Sequence, residues 1–215
     1  MADACALTRP FRGHPEQLKL LKYHALPPDG HRLITSWFTK AWAARDDSES
    51  TFESFIFAWF SVNAWAACVT GKDRDSEYIE RLERDEGMRR KFVELLASNQ
   101  PFAMAANHFH AMWPIFKAQR IRRFQVQAES GLSREATVQH YLDAGVTDFA
   151  PGCWQAHQEA GEIVPLDWAH TLQSIYRVRC NLFHGEKSAH SEMDRALVRA
   201  AFDVLVMFFR EAEIL

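Results

Sequence analysis

The sequence is poor in the residues that punctuate β-structure. It has nine glycines and eight prolines in 215 residues, and no series of alternating β-branched runs joined by Asn-Gly or Asp-Gly turns. That excludes a sheet as the main architecture. Four cysteines, Cys5, Cys68, Cys153 and Cys180, form no C-x-x-C pair, so the chain has no disulfide framework and reads as a reduced, cytoplasmic protein. Walker loop, dinucleotide fingerprint and strand-borne Ser elbow are all missing, and no cofactor is expected. No metal is expected either: His108 and His110 point about 200° apart on a helix, and Cys153 with His157 lacks a second ligand pair at zinc spacing. Positive charge is also lacking. The net charge of −3 excludes a protein that grips nucleic acid through its overall potential, so any such contact must be local. The opening segment, with Arg9, Arg12, His14 and Glu16, has no apolar run of signal-peptide length. The most apolar stretch, Phe55 to Val69, is interrupted by Ser61 and Asn63 and is short for a bilayer span, so it reads as a core helix and no membrane partner is expected.

What the chain has in quantity is apolar residues at helical spacing. A hydrophobic share of 47% supports one buried core, and the pattern gives an all-α, single-domain reading for 1–215 in which 1–49 is an N-terminal helical extension and 50–215 a bundle. Helices are expected near 15–23, 31–44, 51–69, 75–84, 88–98, 101–123 (kinked or divided at Pro114), 133–144, 167–183 and 192–213. Ser50 with Glu53 reads as a capping box, and Ser191 with Asp194 opens the last helix. The helix from Thr51 is apolar nearly all round and should run through the middle, with Asn63 as a satisfied core amide. The stretch from Gly145 to Pro165 is the least regular.

One constellation stands out. From Asp167 onward, Trp168, Leu172, Ile175, Arg179 and Leu182 recur at spacings of four and three, which is one helix face. Arg179 falls within roughly 20° of the middle of that stripe. An unpaired guanidinium there costs several kcal/mol, so something must pair with it or hydrate it. His184 follows, then Gly185, a residue suited to the left-handed turn that ends a helix. On an ideal helix Arg179 and His184 point about 140° apart, so they act together only where the helix unwinds near Phe183. The same Arg-x4-His spacing at Arg9 and His14 is interrupted by Pro10 and is assigned no role.

The string Arg177-Val178-Arg179-Cys180-Asn181-Leu182-Phe183-His184-Gly185-Glu186-Lys187 resembles the signature of the HEPN superfamily, an Arg-x-Asn-x-x-His-Gly sequence at a helix end. The aromatic helix with the Asn63-Ala64 step is similar to the core helix of many members. Where members often place a polar residue directly after the Arg, this chain has Cys180.

The resemblance implies a HEPN-type helical bundle with additional helices and a metal-independent endoribonuclease of the toxin or defence kind. In such an enzyme the RNA 2′-hydroxyl attacks the adjacent phosphorus and leaves a 2′,3′-cyclic phosphate. Arg179, Asn181 and His184 take the catalytic positions, with Asn63 and Cys180 as accessory residues. A histidine suits proton transfer near neutrality, and an arginine fork suits a phosphorane. The resemblance also implies a homodimer that brings two Arg/His pairs into one cleft. Arg177 and Lys187 are the candidates for its rim, and Lys117, Arg120, Arg122 and Arg123 for the RNA backbone. An antitoxin is a further possible partner. The other reading is a non-catalytic helical interaction module, such as the partner of a nucleotidyltransferase.

Overall fold

A computed structural model of the chain describes residues 26–47, 50–123, 132–185 and 191–214. The expected first helix near 15–23 lies outside the described residues, as do Arg9, His14 and Lys187. The described residues form ten helices and one small ladder: α1 (Pro28–Ala44), α2 (Thr51–Thr70), α3 (Asp75–Glu83), α4 (Glu86–Ser98), α5 (Gln100–His110), β1 (Ile115–Phe116), α6 (Ala118–Arg123), α7 (Arg134–Asp143), β2 (Phe149–Ala150), α8 (Trp154–Glu159), α9 (Trp168–Phe183) and α10 (Glu192–Glu211).

The fold is predominantly helical, as the apolar spacing predicts. α2 is central and packs against α1, α3 and α10. It runs 20 residues, longer than the apolar stretch read from the sequence, and is the one described helix with the length and composition to cross a membrane. Protein nonetheless buries ten of its residues. Three of its polar side chains are paired: the Ser61 hydroxyl donates to the Ile34 carbonyl of α1 at 2.9 Å, Thr70 donates to Ala66, and Asn63 accepts from the Tyr78 hydroxyl. Ser50 is the residue before the helix, but its hydroxyl donates to Asp47 rather than completing a box with Glu53. Ile34 and Ala41 of α1 belong to the same core, so the end of the N-terminal extension packs into the bundle.

Three helices converge on α9. Trp168 stacks on Phe208 of α10 with ring centroids 4.4 Å apart, lies 6.1 Å from Phe92 of α4, and donates its indole N–H to the Leu82 carbonyl of α3 at 2.8 Å. A buried aromatic of this size removes roughly 150–250 Å² from water. This pins the start of α9, which Asp167 caps by accepting the His170 backbone N–H.

Pro114 does more than kink the expected helix 101–123. Helix α5 ends at His110, and β1 follows, pairing antiparallel with β2 in the register Ile115↔Ala150 and Phe116↔Phe149. The reason is local: proline disfavours helix in the residue before it and removes a donor. Arg134 then holds the turn by donating to the carbonyls of Met112 and Pro114. A small second cluster of Phe116, Val138, Val146 and Phe149 sits under the ladder and carries Lys117 and Asp148 to the side of α9.

Candidate functional site

Helix α9 separates two environments. Trp168, Leu172, Ile175 and Val178 are buried, whereas Gln173, Arg177, Cys180 and His184 border a cleft closed on its far side by the segments around the ladder. Arg177 and His184 are seven residues apart, close to two turns, so they lie within about 20° of one another on the cylinder. The cleft has a volume of about 390 Å³, within the range of small-ligand sites, and is lined by Lys117, Phe149, Tyr176, Arg177, Asn181 and His184 among others. None of its lining residues is acidic.

The cations of the cleft share one anion. Asp148 holds Arg177 Nη2 at 2.8 Å, Lys117 Nζ at 3.4 Å and Arg120 Nε at 3.7 Å. Its backbone carbonyl also accepts the Lys117 N–H at 2.8 Å, which fixes the start of α6 beside β2. Three cations against one carboxylate leave a surplus of two positive charges at the cleft edge. His184, the residue that ends α9, is exposed at the same opening. Burial pushes the Tyr176 phenol above its usual range, with the neighbouring Cys180 and Asp75 adding to it.

Arg179 lies elsewhere. The pairing its place on the apolar stripe demands comes from Asp75 of α3, with Oδ2 2.8 Å from Nη2. Its guanidinium also lies 4.6 Å from the Phe183 ring, 5.7 Å from Trp59 and 5.9 Å from Tyr176. Helix α9 stays regular through Phe183, and Gly185 takes its left-handed conformation, φ 67°, only after His184. The unwinding that would bring Arg179 and His184 together does not occur. They face different sides of α9, and Arg177 is the arginine that shares a cleft with His184.

Asn181 is 2% exposed, and both ends of its amide bond the turn after β1: Nδ2 donates to Phe116 O at 2.8 Å, and Oδ1 accepts Ala118 N–H at 3.1 Å. It touches the cleft wall but is committed to the backbone. Cys180 lines the cleft as a free thiol. Asn63 is the half-buried partner of Tyr78. Arg122 and Arg123 close α6. One participant, Asp148, was missed by the sequence reading, and Arg177, read as a rim residue, stands in the cleft with His184. For Asp148 no local signal exists, because its partners come from two segments distant along the chain, Lys117 with Arg120 and Arg177; for the pairing of Arg177 with His184 the seven-residue spacing was an available signal.

No protein-family model, curated protein or solved structure gives a significant match to the chain.

Proposed function

We propose that the chain is an endoribonuclease of HEPN type whose reactive groups meet at the cleft beside α9. The observation that carries this reading is the cleft's composition: Lys117 and Arg177 with an exposed His184, no acidic lining residue, and one carboxylate for three cations. Such a surplus is complementary to a phosphodiester, and an arginine fork matches two of its oxygens. In the proposed reaction His184 takes the proton of the RNA 2′-hydroxyl. That oxygen bonds to phosphorus, the bond from phosphorus to the 5′-oxygen breaks, and the departing oxygen receives a proton. Arg177 and Lys117 stabilise the charge on the non-bridging oxygens. The leaving oxygen needs a second acid, and a two-fold copy of the chain would bring another His184 to the opening. Arg179 is then a positioning residue, holding the end of α9 against α3 through Asp75.

A second reading has its own support. Asn181 is spent on backbone bonds and Arg179 on Asp75, which leaves two of the signature residues outside the reacting groups. A helical module that binds RNA or a protein partner without cutting has this property.

Incubating the purified chain with RNA in EDTA separates the two. Cleavage ending in cyclic phosphate is expected, with His184→Ala slower by about 10²–10⁴-fold. Arg177→Ala should be slower by about 10²-fold. Arg179→Ala should lose only about tenfold, together with a lowered melting temperature. Intact RNA from every wild-type incubation would leave the module. A greater loss in Arg179→Ala than in Arg177→Ala would refute the placement of the cation. Light scattering reports the dimer.

A further inference from the structure

A second chemical constellation lies outside the groups assigned to RNA. Cys153, just before α8, and His170, in the first turn of α9, meet across the irregular stretch between the two helices, with Sγ 3.3 Å from His170 Nε2. On the opposite side of the ring, Nδ1 lies 2.9 Å from Asp167 Oδ1. That same oxygen accepts the His170 backbone N–H at 2.9 Å, so the cap that starts α9 also fixes the carboxylate against the ring. An imidazole with a carboxylate at Nδ1 carries its proton there and presents Nε2 as a bare acceptor to the thiol. The His170 side chain is only 12% exposed, while Cys153 is half-buried. Although burial pushes the Asp167 carboxyl up, its bonds from the His170 side chain and backbone hold it below the usual range.

The other titratable groups facing the constellation are Arg89 of α4, whose charge acts on Asp167; Glu83 of α3, whose charge acts on His170; and His110 of α5, whose Nε2 lies 2.8 Å from the Val164 carbonyl. The cleft wall begins beside the thiol. Gly152 precedes Cys153 and lines the cleft, Gln173 stands one turn beyond His170, and Lys117 and Arg177 lie further along the same wall.

We propose that Cys153 is a nucleophilic thiol, with His170 as its base and Asp167 as the residue that positions the base, and that it takes anionic low-molecular-weight disulfides. His170 Nε2 accepts the thiol proton, and the thiolate attacks one sulfur of the disulfide. The disulfide bond breaks, a mixed disulfide forms on Cys153, and the departing thiolate takes the proton back from His170. No other oxidant is needed. The cations of the adjoining cleft wall favour a disulfide that carries carboxylates. This inference does not depend on the nuclease reading.

The test uses the full chain and iodoacetamide, with alkylation at each cysteine followed by peptide mass spectrometry from about pH 6 to about pH 9. Cys68, which is exposed, is the internal reference. Near the acid end Cys153 should react about tenfold faster than Cys68; His170→Gln should abolish the difference, and Asp167→Asn, which keeps a capping oxygen, should reduce it. Glutathione disulfide should leave its adduct on Cys153 faster than the neutral dithiodiethanol does. A wild-type Cys153 that follows the Cys68 profile overturns the proposal without reference to any variant. Equal rates for the two disulfides would remove the preference for anions.

Discussion

Arg177 and Arg179 stand two residues apart on α9, are 21% and 20% exposed, and each holds a carboxylate at 2.8 Å. By exposure and pairing they are alike. Their neighbourhoods differ: Arg179 is matched one to one by Asp75 among the rings of Trp59, Tyr176 and Phe183, whereas Arg177 shares Asp148 with Lys117 and Arg120. One side of the helix is therefore neutralised and packed, and the other keeps uncompensated positive charge at an opening. The difference teaches that local charge balance, rather than the burial of any one cation, distinguishes an anchoring arginine from one able to meet an anion.

The largest expected effect lies on α3, the helix that carries Asp75. Glu83, buried on α3 beside Gln173, has its carboxyl pushed up to about 7 by desolvation, against which the Gln173 bond acts only in part. Below about 4.5, its ordinary value, the group is protonated in folded and unfolded chains alike. Between there and about 7 the unfolded chain releases a proton that the folded chain keeps, so stability falls as pH rises, by roughly 3 kcal/mol in all. Glu83→Gln should flatten this fall in urea titrations run across that window; an unchanged slope would show that Glu83 does not carry the dependence.

Next is the one-to-one pair. Asp75→Asn removes the charge opposing Arg179 and should cost about 2 kcal/mol in chemical denaturation, because a half-buried guanidinium is left among aromatic rings. The smallest stability change is expected across the helix. Asp148→Asn should cost under about 1 kcal/mol, since Lys117 and Arg120 are a third or more exposed and Arg177 lines an open cleft. The same substitution should tighten the binding of a single-stranded RNA oligonucleotide severalfold at low salt and steepen its salt dependence by about one ion. Anisotropy titrations at several salt concentrations read this directly. Weaker binding in Asp148→Asn would break the comparison, because Asp148 would then be an organiser of the cations more than a brake on their charge.

Much of the framework was legible because its causes are local. Asp167 and Ser191 cap α9 and α10 by accepting backbone N–H groups three residues on, a relation visible in the residue order. Pro114 marked the break after α5 for the same reason. The two-residue ladder was not legible, since strands that short carry no periodicity, and its position depends on Arg134 and on the cluster under Phe116. At the site, His184 and the need for a partner at Arg179 were readable. Asn181 as a clamp on the turn after β1 was not, because its two bonds reach more than 60 residues along the chain.

The sequence by itself determined most of the long helices and the inward place of Trp168, Leu172 and Ile175 on α9, because a period of 3.6 and a capping oxygen act within a few residues of one another; it did not mark α8, nor the shift of the buried face to Val178 and Asn181. Only the tertiary structure decided which arginine is neutralised and which retains charge beside His184. Charge balance at a point in space sums over groups that are close in three dimensions and distant along the chain, and no local pattern records that sum.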